Sequence, residues 1–294
     1  MNTAVYQVQE RRTRIRLDGD PTNPPVVLLH GIGRSLEDWA PQFPRLSRHF
    51  RVISLDLPGS GFSQRVPRTT SLSVLADAVL ATLDMLGEHR PVHVIGNSLG
   101  GAVAQQILAH APESVASLVL VDSAGFGREV ALPLRLLTLP VLGKFMATHA
   151  TPSAAKMAER LSFADPKLAT PARVEHALTI AQQPDTGNVV WETANALATF
   201  KGGIRPQWRA ELIAHGVEEG KPTLIVWGDR DKLLPYHHLD AALRALPHAT
   251  SHTFAGVGHM PQIESPDEFA AAVLDFLGAR QTAHRRSQRS RASR

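Results

Sequence analysis

The chain has 294 residues, of which 43% are hydrophobic, so it can bury one large core or one core plus a substantial insertion. It contains no cysteine, which excludes disulfides, zinc-thiolate sites, iron–sulfur clusters and a cysteine nucleophile. The formal net charge of +4 comes from segment 279–294, and the 25 basic and 27 acidic residues elsewhere exclude a generally basic surface that would track nucleic acid.

The N-terminus is charged within its first twelve residues and lacks the apolar core of a secretory signal, so we expect a cytoplasmic protein. From there, short runs rich in β-branched residues alternate with segments of helical periodicity. This pattern is typical of an α/β fold with a mostly parallel sheet covered by helices on both faces. The runs predict strands at 3–9, 12–17, 24–31, 51–59, 92–98, 117–125, 222–229 and 249–256. Helical patterns lie between them at 71–87, 102–112, 237–247 and 265–278.

One interval interrupts this alternation. Between Gly125 and Gly220 the strand patterns disappear, and only helix-like sequence punctuated by prolines remains. We interpret this interval as a helical cap at 126–220, inserted after the sixth strand. The core is then formed by 1–125 and 221–278.

Two segments raise the question of membrane or nucleic-acid binding. The most apolar one, 131–146, is interrupted by Arg135 and Pro140 and is shorter than the ~20 residues of a membrane span, so we expect no span. The arginine-rich segment 279–294 cannot bury enough apolar surface to order itself, and we expect a disordered tail with no specific nucleic-acid partner. Weak binding to nucleic acid or anionic membrane is the alternative role for this tail.

The string GNSLGG at 96–101 joins the fifth predicted strand to a helical pattern. In an open α/β sheet ligands bind beyond the carboxyl ends of the strands, so Ser98 is placed to face a crevice. Gly96 and Gly100 leave room for a sharp bend that strains Ser98 and exposes its hydroxyl, and Gly101 lets the helix start close to the neighbouring strands. A serine here could also be only an N-cap, but the strand–turn–helix context favours a nucleophile.

A serine nucleophile needs a base, and the base needs an acid that orients it. The seventh predicted strand ends with two acids, Asp229 and Asp231, and the last strand is followed by His259 in a glycine-rich turn. Because these loops lie at the same edge of the sheet as Ser98, we expect a Ser, an Asp and a His side chain to meet there.

With these motifs in this order, the chain resembles a serine hydrolase of the α/β-hydrolase fold superfamily, in the branch of carboxylesterases and lipases. The resemblance runs from about residue 25 to residue 277. It rests on HGIG at 30–33, DLPGSGFS at 56–63, GNSLGG at 96–101, and the pair WGDRDKLLP and GHMPQIESPDEF near the end. The chain order Ser, Asp, His is also the order of that family. The resemblance implies an eight-stranded, mostly parallel sheet flanked by helices and covered by a helical cap.

The resemblance also selects an acid. In this family the acid is usually the Asp of a G-x-x-D-x-x-x-P string, which implies Asp231 rather than Asp229 as the partner of His259. Some relatives carry their acid after the sixth strand instead, where this chain has Asp122. Since a catalytic triad is recognised by geometry, all three acids stay open at this point.

The loop that contains HGIG is implied to form part of an oxyanion hole, in which the backbone N–H groups of Ile32 and Leu99 would bind the developing negative charge. His30 is expected to brace this loop by hydrogen bonding rather than to titrate in catalysis. The loop is not a dinucleotide fingerprint, because Leu36 occupies the position of the last glycine. No phosphate-binding P-loop string and no His-Glu-x-x-His string occurs, and we expect no cofactor and no metal.

Asn97, Trp39 and Trp191 are candidate substrate contacts, although Asn97 could only support the turn and the tryptophans could belong to the core. Apolar cap sequence over a serine site favours an acyl or aromatic carbonyl substrate. We therefore expect a serine hydrolase that cleaves carboxylic esters of small to medium apolar substrates through an acyl-enzyme. Its partners are then a small ester or ketone and water, and the sequence does not indicate an oligomeric state.

Two alternatives stay open. A carbon–carbon bond hydrolase of the meta-cleavage-product type is similar to this chain in GNSLGG and in the cap. It would need a cap arginine such as Arg128, Arg135 or Arg205, and Met260 stands where that group often has an aromatic residue. The second is a ligand-binding protein with little turnover, against which the intact Ser, Asp and His argue. Haloalkane dehalogenases and epoxide hydrolases are disfavoured, because those relatives use an Asp nucleophile where this chain has Ser98.

Overall fold

A central sheet organises the protein, and the computed structural model describes residues 3–278 of the chain. The strands of this part are β1 (Thr3–Val8), β2 (Arg11–Asp18), β3 (Pro25–Leu29), β4 (Arg51–Leu55), β5 (Val92–Asn97), β6 (Val115–Val121), β7 (Ala198–Thr199), β8 (Gly203–Ile204), β9 (Thr223–Gly228) and β10 (Thr250–Phe254). Eight of them form one sheet in the order β1-β2-β4-β3-β5-β6-β9-β10. The β1–β2 and β2–β4 pairs are antiparallel and the others are parallel, which confirms the predicted eight-stranded, mostly parallel sheet.

The helices lie in the intervals between strands, except for the last two, which follow β10. They are α1 (Phe43–Leu46), α2 (Leu72–Met85), α3 (Leu99–His110), α4 (Leu132–Leu136), α5 (Leu142–Thr148), α6 (Pro152–Ser162), α7 (Pro171–Ala181), α8 (Thr186–Leu197), α9 (Pro206–Glu219), α10 (His238–Ala245), α11 (Pro261–Glu264) and α12 (266–278). Side-chain caps begin several of them: Ser71 accepts the Val74 N–H at 3.3 Å at the start of α2. Within 3–278, the search for a helix long and apolar enough to cross a membrane found none.

The sheet separates two apolar clusters, because successive side chains of a strand point to opposite faces. On β3, Val27 and Leu29 belong to the cluster formed with α2, α3 and α10. Val26 and Leu28 belong to the other cluster, which is formed with α1 and α12. Helices therefore cover both faces, as the continuous apolar runs of the central strands predict.

The interval after β6 contains α4 to α8 and also a small antiparallel hairpin of β7 and β8, which sequence analysis missed. Strands of two residues leave no readable alternation. The turn between them is specified locally instead, since Thr199 Oγ1 accepts the Gly202 N–H at 2.9 Å and Gly203 has a φ of 66°.

The bounds of the cap, 126–220, stay a prediction. Helix α9 packs against α3, and its Leu212 is part of a core cluster, which favours counting α9 with the core. The predicted disordered tail at 279–294 lies outside the described residues, and the cytoplasmic location stays a prediction.

Phe269 of α12 is fully buried between Trp39 and Phe254, and its truncation should be costly. We expect Phe269→Ala to lower the free energy of unfolding by about 3–5 kcal/mol, because it leaves a cavity in the second cluster. Phe145→Ala is the matched control, since that ring on α5 is 57% exposed and its loss should cost less than about 1 kcal/mol. Urea unfolding of both variants measures the difference, and equal costs would contradict the packing.

Candidate active site

Ser98 lies in the sharp turn between β5 and α3. Its backbone has φ 55° and ψ −114°, a conformation that costs a non-glycine residue about 1–3 kcal/mol. Neighbouring backbone holds it there: the Ser98 N–H donates to the Val121 oxygen at 2.9 Å, and the Ala124 N–H donates to the Ser98 oxygen at 3.1 Å. The turn is therefore fixed from β6, the next strand of the sheet.

The glycines of the turn are required by close backbone approach. A Cβ at Gly96 would lie 2.2 Å from the Gly100 oxygen, and a Cβ at Gly100 would lie 2.2 Å from the Leu29 oxygen of β3. At Gly101 it would lie 2.2 Å from Oγ of Ser123. The close packing predicted for these three positions is confirmed.

His259 and Asp231 form a buried pair at the ends of β10 and β9. His259 Nδ1 and Asp231 Oδ2 are 2.7 Å apart, and the two side chains are 4% and 0% exposed. Oδ1 of the same carboxylate accepts the N–H groups of Leu233 at 2.7 Å and Leu234 at 3.0 Å. The Asp231 carboxylate thus accepts three N–H groups, and they set the direction from which His259 is held.

Asp229, the other acid that follows β9, has a different environment. It is exposed, and its Oδ1 accepts the Gly256 N–H at 2.7 Å. The structure therefore brings Asp231, and not Asp229, into contact with His259.

Asp122 is the third acid that sequence analysis considered, and it lies beside the pair. It is fully buried and has a φ of 43°. One oxygen of Asp122, one oxygen of Asp231 and one ring nitrogen of His259 all lie within 4.8 Å of one another. Oδ1 of Asp122 accepts the Gly228 N–H at 3.0 Å. Burial, followed by the neighbouring Asp231 charge, raises the pKa of Asp122 well above its ordinary value.

A cavity of about 260 Å³ lies under the cap and is called the main cavity here. Ser98, His259 and Asn97 line it from the core. The cap contributes mostly small or aliphatic side chains, among them Leu134, Ala147, Ala155, Ala158, Ala177 and Val190. A second cavity of about 60 Å³, the side pocket, also reaches Ser98 and is bounded by Leu197, Ile204 and Trp208. Ser98 thus adjoins two apolar spaces of unequal size.

The loop after β3 is held by His30. Nδ1 of the buried imidazole lies 2.8 Å from the Gly31 oxygen, and Nε2 accepts the Leu57 N–H at 2.9 Å. Burial lowers the pKa of His30, so the ring is neutral with its proton on Nδ1. The bracing role predicted for His30 is confirmed.

Ile32 and Leu99 both line the side pocket together with Ser98. Leu99 is the first residue of α3, so its N–H has no acceptor within the helix and is directed out of the helix N-terminus. Their use as an oxyanion hole stays a proposal, which the geometry of this turn supports.

Asn97 supports the turn from within. Its Nδ2 donates to the Val121 oxygen at 3.2 Å and to the His259 oxygen at 3.0 Å. Its buried Oδ1 accepts no hydrogen bond from the part of the chain that is described. Since Asn97 also lines the main cavity, both roles considered for it are compatible with its position.

The two tryptophans considered as substrate contacts belong to different environments. Trp39 is fully buried against Phe269, with ring centroids 6.0 Å apart. Trp191 lies on α8, where Lys144 Nζ is 5.3 Å from its ring centroid. Neither ring lines the main cavity or the side pocket, which counts against substrate contact. An aromatic residue predicts burial, but it does not indicate which apolar space the ring will fill.

Sequence analysis missed an ion cluster at the wall of the main cavity. Arg34, directly after HGIG, donates to the two oxygens of Asp38 at 2.8 and 2.7 Å and also to Glu159 of α6. These carboxylates raise the pKa of Arg34 against the opposing effect of burial. The four-residue spacing of Arg34 and Asp38 could have indicated their contact from the sequence. The contact with Glu159 could not be predicted, because Glu159 lies 125 residues further along the chain.

The cap also contacts the turn that carries His259. The His259 N–H donates to the Ser162 oxygen at 3.1 Å, and the Ala164 N–H donates to Glu264 Oε2 at 2.8 Å. Glu264 in turn accepts the Gly258 N–H at 2.9 Å. The end of α6 and the histidine turn are therefore joined by hydrogen bonds.

One further cluster, Glu129, His237 and His238, has the side-chain types that bind metals, with one atom of each within 4.8 Å of the others. Glu129 Oε2 lies 3.0 Å from His238 Nε2 and 3.4 Å from His237 Nε2. Hydrogen bonding explains this cluster, and the expected absence of metal and cofactor stays a prediction.

Comparison with known proteins gives four findings. The alpha/beta hydrolase fold family matches residues 24–266. The dihydrolipoyllysine-residue acetyltransferase component of the acetoin cleaving system of Pseudomonas putida is 34% identical over 253 residues, which are 86% of this chain and only 63% of that protein. The 2-hydroxy-6-oxononadienedioate/2-hydroxy-6-oxononatrienedioate hydrolase 2 of Pseudomonas putida is 31% identical over 264 residues, 86% of this chain and 87% of that protein. The crystal structure of a hydrolase from Pseudomonas aeruginosa PA01 has a TM-score of 0.76 at 27% identity and covers 94% of this chain and 98% of that chain.

We expect Gly100→Ala to destabilise the protein by about 1–3 kcal/mol and to lower activity, because the added Cβ would push α3 away from β3. Gly216→Ala in α9 is the matched control. Its Cβ meets only the end of the Leu246 side chain at 2.9 Å, and alanine favours a helix by up to about 1 kcal/mol. Urea unfolding compares the two, and a Gly100→Ala protein as stable as the control would contradict the close approach.

Proposed function

Since the chain belongs to the α/β-hydrolase fold family, we propose that it is a serine hydrolase that cleaves carboxylic esters of small to medium apolar substrates. The observation that carries this proposal is the 2.7 Å hydrogen bond between His259 Nδ1 and Asp231 Oδ2, at a cavity that His259 shares with Ser98. A nucleophile, a base and an orienting acid are the minimum set for this reaction.

In the first half of the reaction Asp231 accepts a hydrogen bond from the Nδ1–H of His259, so Nε2 of His259 is the basic atom. Nε2 takes the proton from Ser98 Oγ while Oγ bonds to the ester carbonyl carbon. The carbonyl electrons move to oxygen, and the N–H groups of Ile32 and Leu99 stabilise that oxyanion. When the carbonyl reforms, the bond to the alcohol breaks, His259 gives its proton to the departing alkoxide, and an acyl-enzyme remains.

In the second half water replaces the alcohol. His259 Nε2 takes a proton from the water while its oxygen bonds to the acyl carbon. The tetrahedral intermediate then collapses, the bond to Ser98 Oγ breaks, and His259 returns the proton to Oγ. The carboxylic acid leaves, and Asp231 has stabilised the imidazolium in both halves without taking its proton.

The shape of the two cavities supports an apolar substrate with unequal parts. We assign the main cavity, about 260 Å³ and lined by aliphatic cap residues, to the larger apolar part. The side pocket of about 60 Å³ then takes the smaller part, with the carbonyl carbon between them at Ser98.

A carbon–carbon bond hydrolase is the second candidate. It is supported by the 31% identical relative, which is named as a hydrolase of a dienedioate and a trienedioate. The three arginines considered for such a substrate, Arg128, Arg135 and Arg205, each donate from Nε to a backbone carbonyl of the cap instead. They are not among the residues that line the main cavity, which favours the ester.

Ser98→Ala should lower kcat for p-nitrophenyl esters at least about 1,000-fold, because the reaction loses its nucleophile. Labelling of the protein by a fluorophosphonate should disappear as well. Ser251→Ala, an exposed serine of β10, is the control and should behave as wild type. Wild-type labelling with negligible ester turnover would instead favour the carbon–carbon hydrolase, and neither signal would favour a ligand-binding protein.

Ala158→Phe tests the assignment of the main cavity, which Ala158 lines from α6. The ring should fill the space for a long acyl chain, so kcat/KM should fall at least about tenfold for decanoyl ester and stay near wild type for acetyl ester. Ser153→Phe places the same ring on the same helix at a position that does not line the main cavity, and it should change neither value. An equal fall for both esters in Ala158→Phe would contradict the assignment.

A further inference from the structure

A buried acid beside the His259–Asp231 pair takes no part in the reaction as described above. We propose that Asp122 is a neutral carboxylic acid whose O–H donates a hydrogen bond to Asp231 and so positions Asp231 for His259. This role rests on the proposed function, since it is exerted through two of the groups named there. Asp122 is thus a positioning residue that contacts neither substrate nor nucleophile.

Asp122 is held rigidly by the neighbouring strand. It follows β6, and β6 pairs in parallel with β9, after which Asp231 is found. The Asp122 N–H donates to the Val226 oxygen at 3.0 Å, and Oδ1 accepts the Gly228 N–H at 3.0 Å. The backbone and the side chain of Asp122 are therefore each bonded to β9, the strand that precedes Asp231.

The second oxygen of the Asp122 carboxyl group has no hydrogen-bond donor among the described residues. This oxygen, Oδ2, is buried. One oxygen of the Asp122 carboxyl group lies within 4.8 Å of an oxygen of Asp231. Two carboxylates are both acceptors, so such a contact becomes favourable only when one of them carries a proton. A proton shared between the two acids gives this buried oxygen a hydrogen-bond partner.

The hydrogen-bond partners of the two acids indicate which of them holds the proton. Asp231 accepts three N–H groups, from His259, Leu233 and Leu234, and each of them stabilises its charge. Asp122 accepts one N–H and is fully buried. The ionisable groups around it are Asp231, His259 and Glu264, of which Asp231 and Glu264 both raise the pKa of Asp122. The proton therefore belongs on Asp122.

A protonated Asp122 adds a fourth donor to Asp231, and hydrogen bonds to a charged acceptor are worth about 1.5–3 kcal/mol. The bond keeps the Asp231 carboxylate in the orientation that His259 Nδ1 needs. It also draws charge from Asp231, so the Nδ1 proton stays on His259. One net negative charge on the two acids then matches the one positive charge of the imidazolium.

The test compares Asp122→Asn with Asp231→Asn. An Asn at 122 keeps the acceptor for Gly228, replaces the O–H by an N–H donor to Asp231, and tolerates a φ of 43°. We expect Asp122→Asn to retain kcat within about threefold, while Asp231→Asn loses about 10,000-fold because His259 takes the wrong tautomer. Asp122→Ala, which has no donor, should lose about 10- to 100-fold in kcat with little change in KM.

The pH profile separates a neutral from an ionised Asp122. If Asp122 is neutral, Asp122→Asn removes no charge near His259, and the acidic limb of kcat/KM stays where it is in wild type. If Asp122 is ionised, the same substitution removes a negative charge within 4.8 Å of a His259 nitrogen. The acidic limb would then move to lower pH by about one unit or more, and that result would overturn the proposal.

Infrared spectroscopy gives a readout that does not depend on activity or on the folding of Asp122→Ala. Wild type should show the carbonyl band of a buried protonated carboxyl group at neutral pH, and Asp122→Asn should lack it. Absence of that band in wild type overturns the proposal, as would full activity of Asp122→Ala or an Asp122→Asn enzyme as inactive as Asp231→Asn. A Ser98→Ala protein with wild-type turnover would instead remove the proposed function itself, so the two failures are distinguishable.

Discussion

The strained turn at Ser98 is the constraint on which the rest of the site depends. Its positive φ persists because backbone groups of β6 and of the segment after it hold the turn on both sides. The same turn requires glycine at 96, where a Cβ would meet the Gly100 oxygen, and at 100, where it would meet the Leu29 oxygen of β3. The loop after β3 and the N-terminus of α3 are thereby brought to one point. The free energy for this arrangement comes from the two apolar clusters on either face of the sheet.

Buried charge is the second organising feature, and every buried ion in and beside the site is paired. Arg34 lies at the wall of the main cavity, but Asp38 and Glu159 neutralise it. Asp231 is likewise matched to His259 and to backbone N–H donors. Among the described residues that line the main cavity, most are apolar and Arg34 is held by two carboxylates, which agrees with an uncharged ester better than with a dicarboxylate.

The sequence predicted the sheet, its strand count and the turn at Ser98, because each depends on local patterns such as apolar runs and glycine spacing. It also placed His259 and Asp231 on neighbouring loops, since the carboxyl ends of parallel strands meet at one edge. It could not predict the β7–β8 hairpin, whose strands are too short to show a period. Nor could it predict the contact of Arg34 with Glu159 or the burial of Trp39, because residues distant in sequence decide both.

The hydrogen bonds between the end of α6 and the histidine turn restrict how the cap can move. A hinge that displaced Ser162 and Ala164 would break the bonds that their backbone groups form with the His259 N–H and the Glu264 carboxylate, and so loosen the turn that carries His259. Movement of this part of the cap would therefore alter the histidine turn as well as the opening of the main cavity, whereas the other cap elements are not tied to that turn by these two bonds.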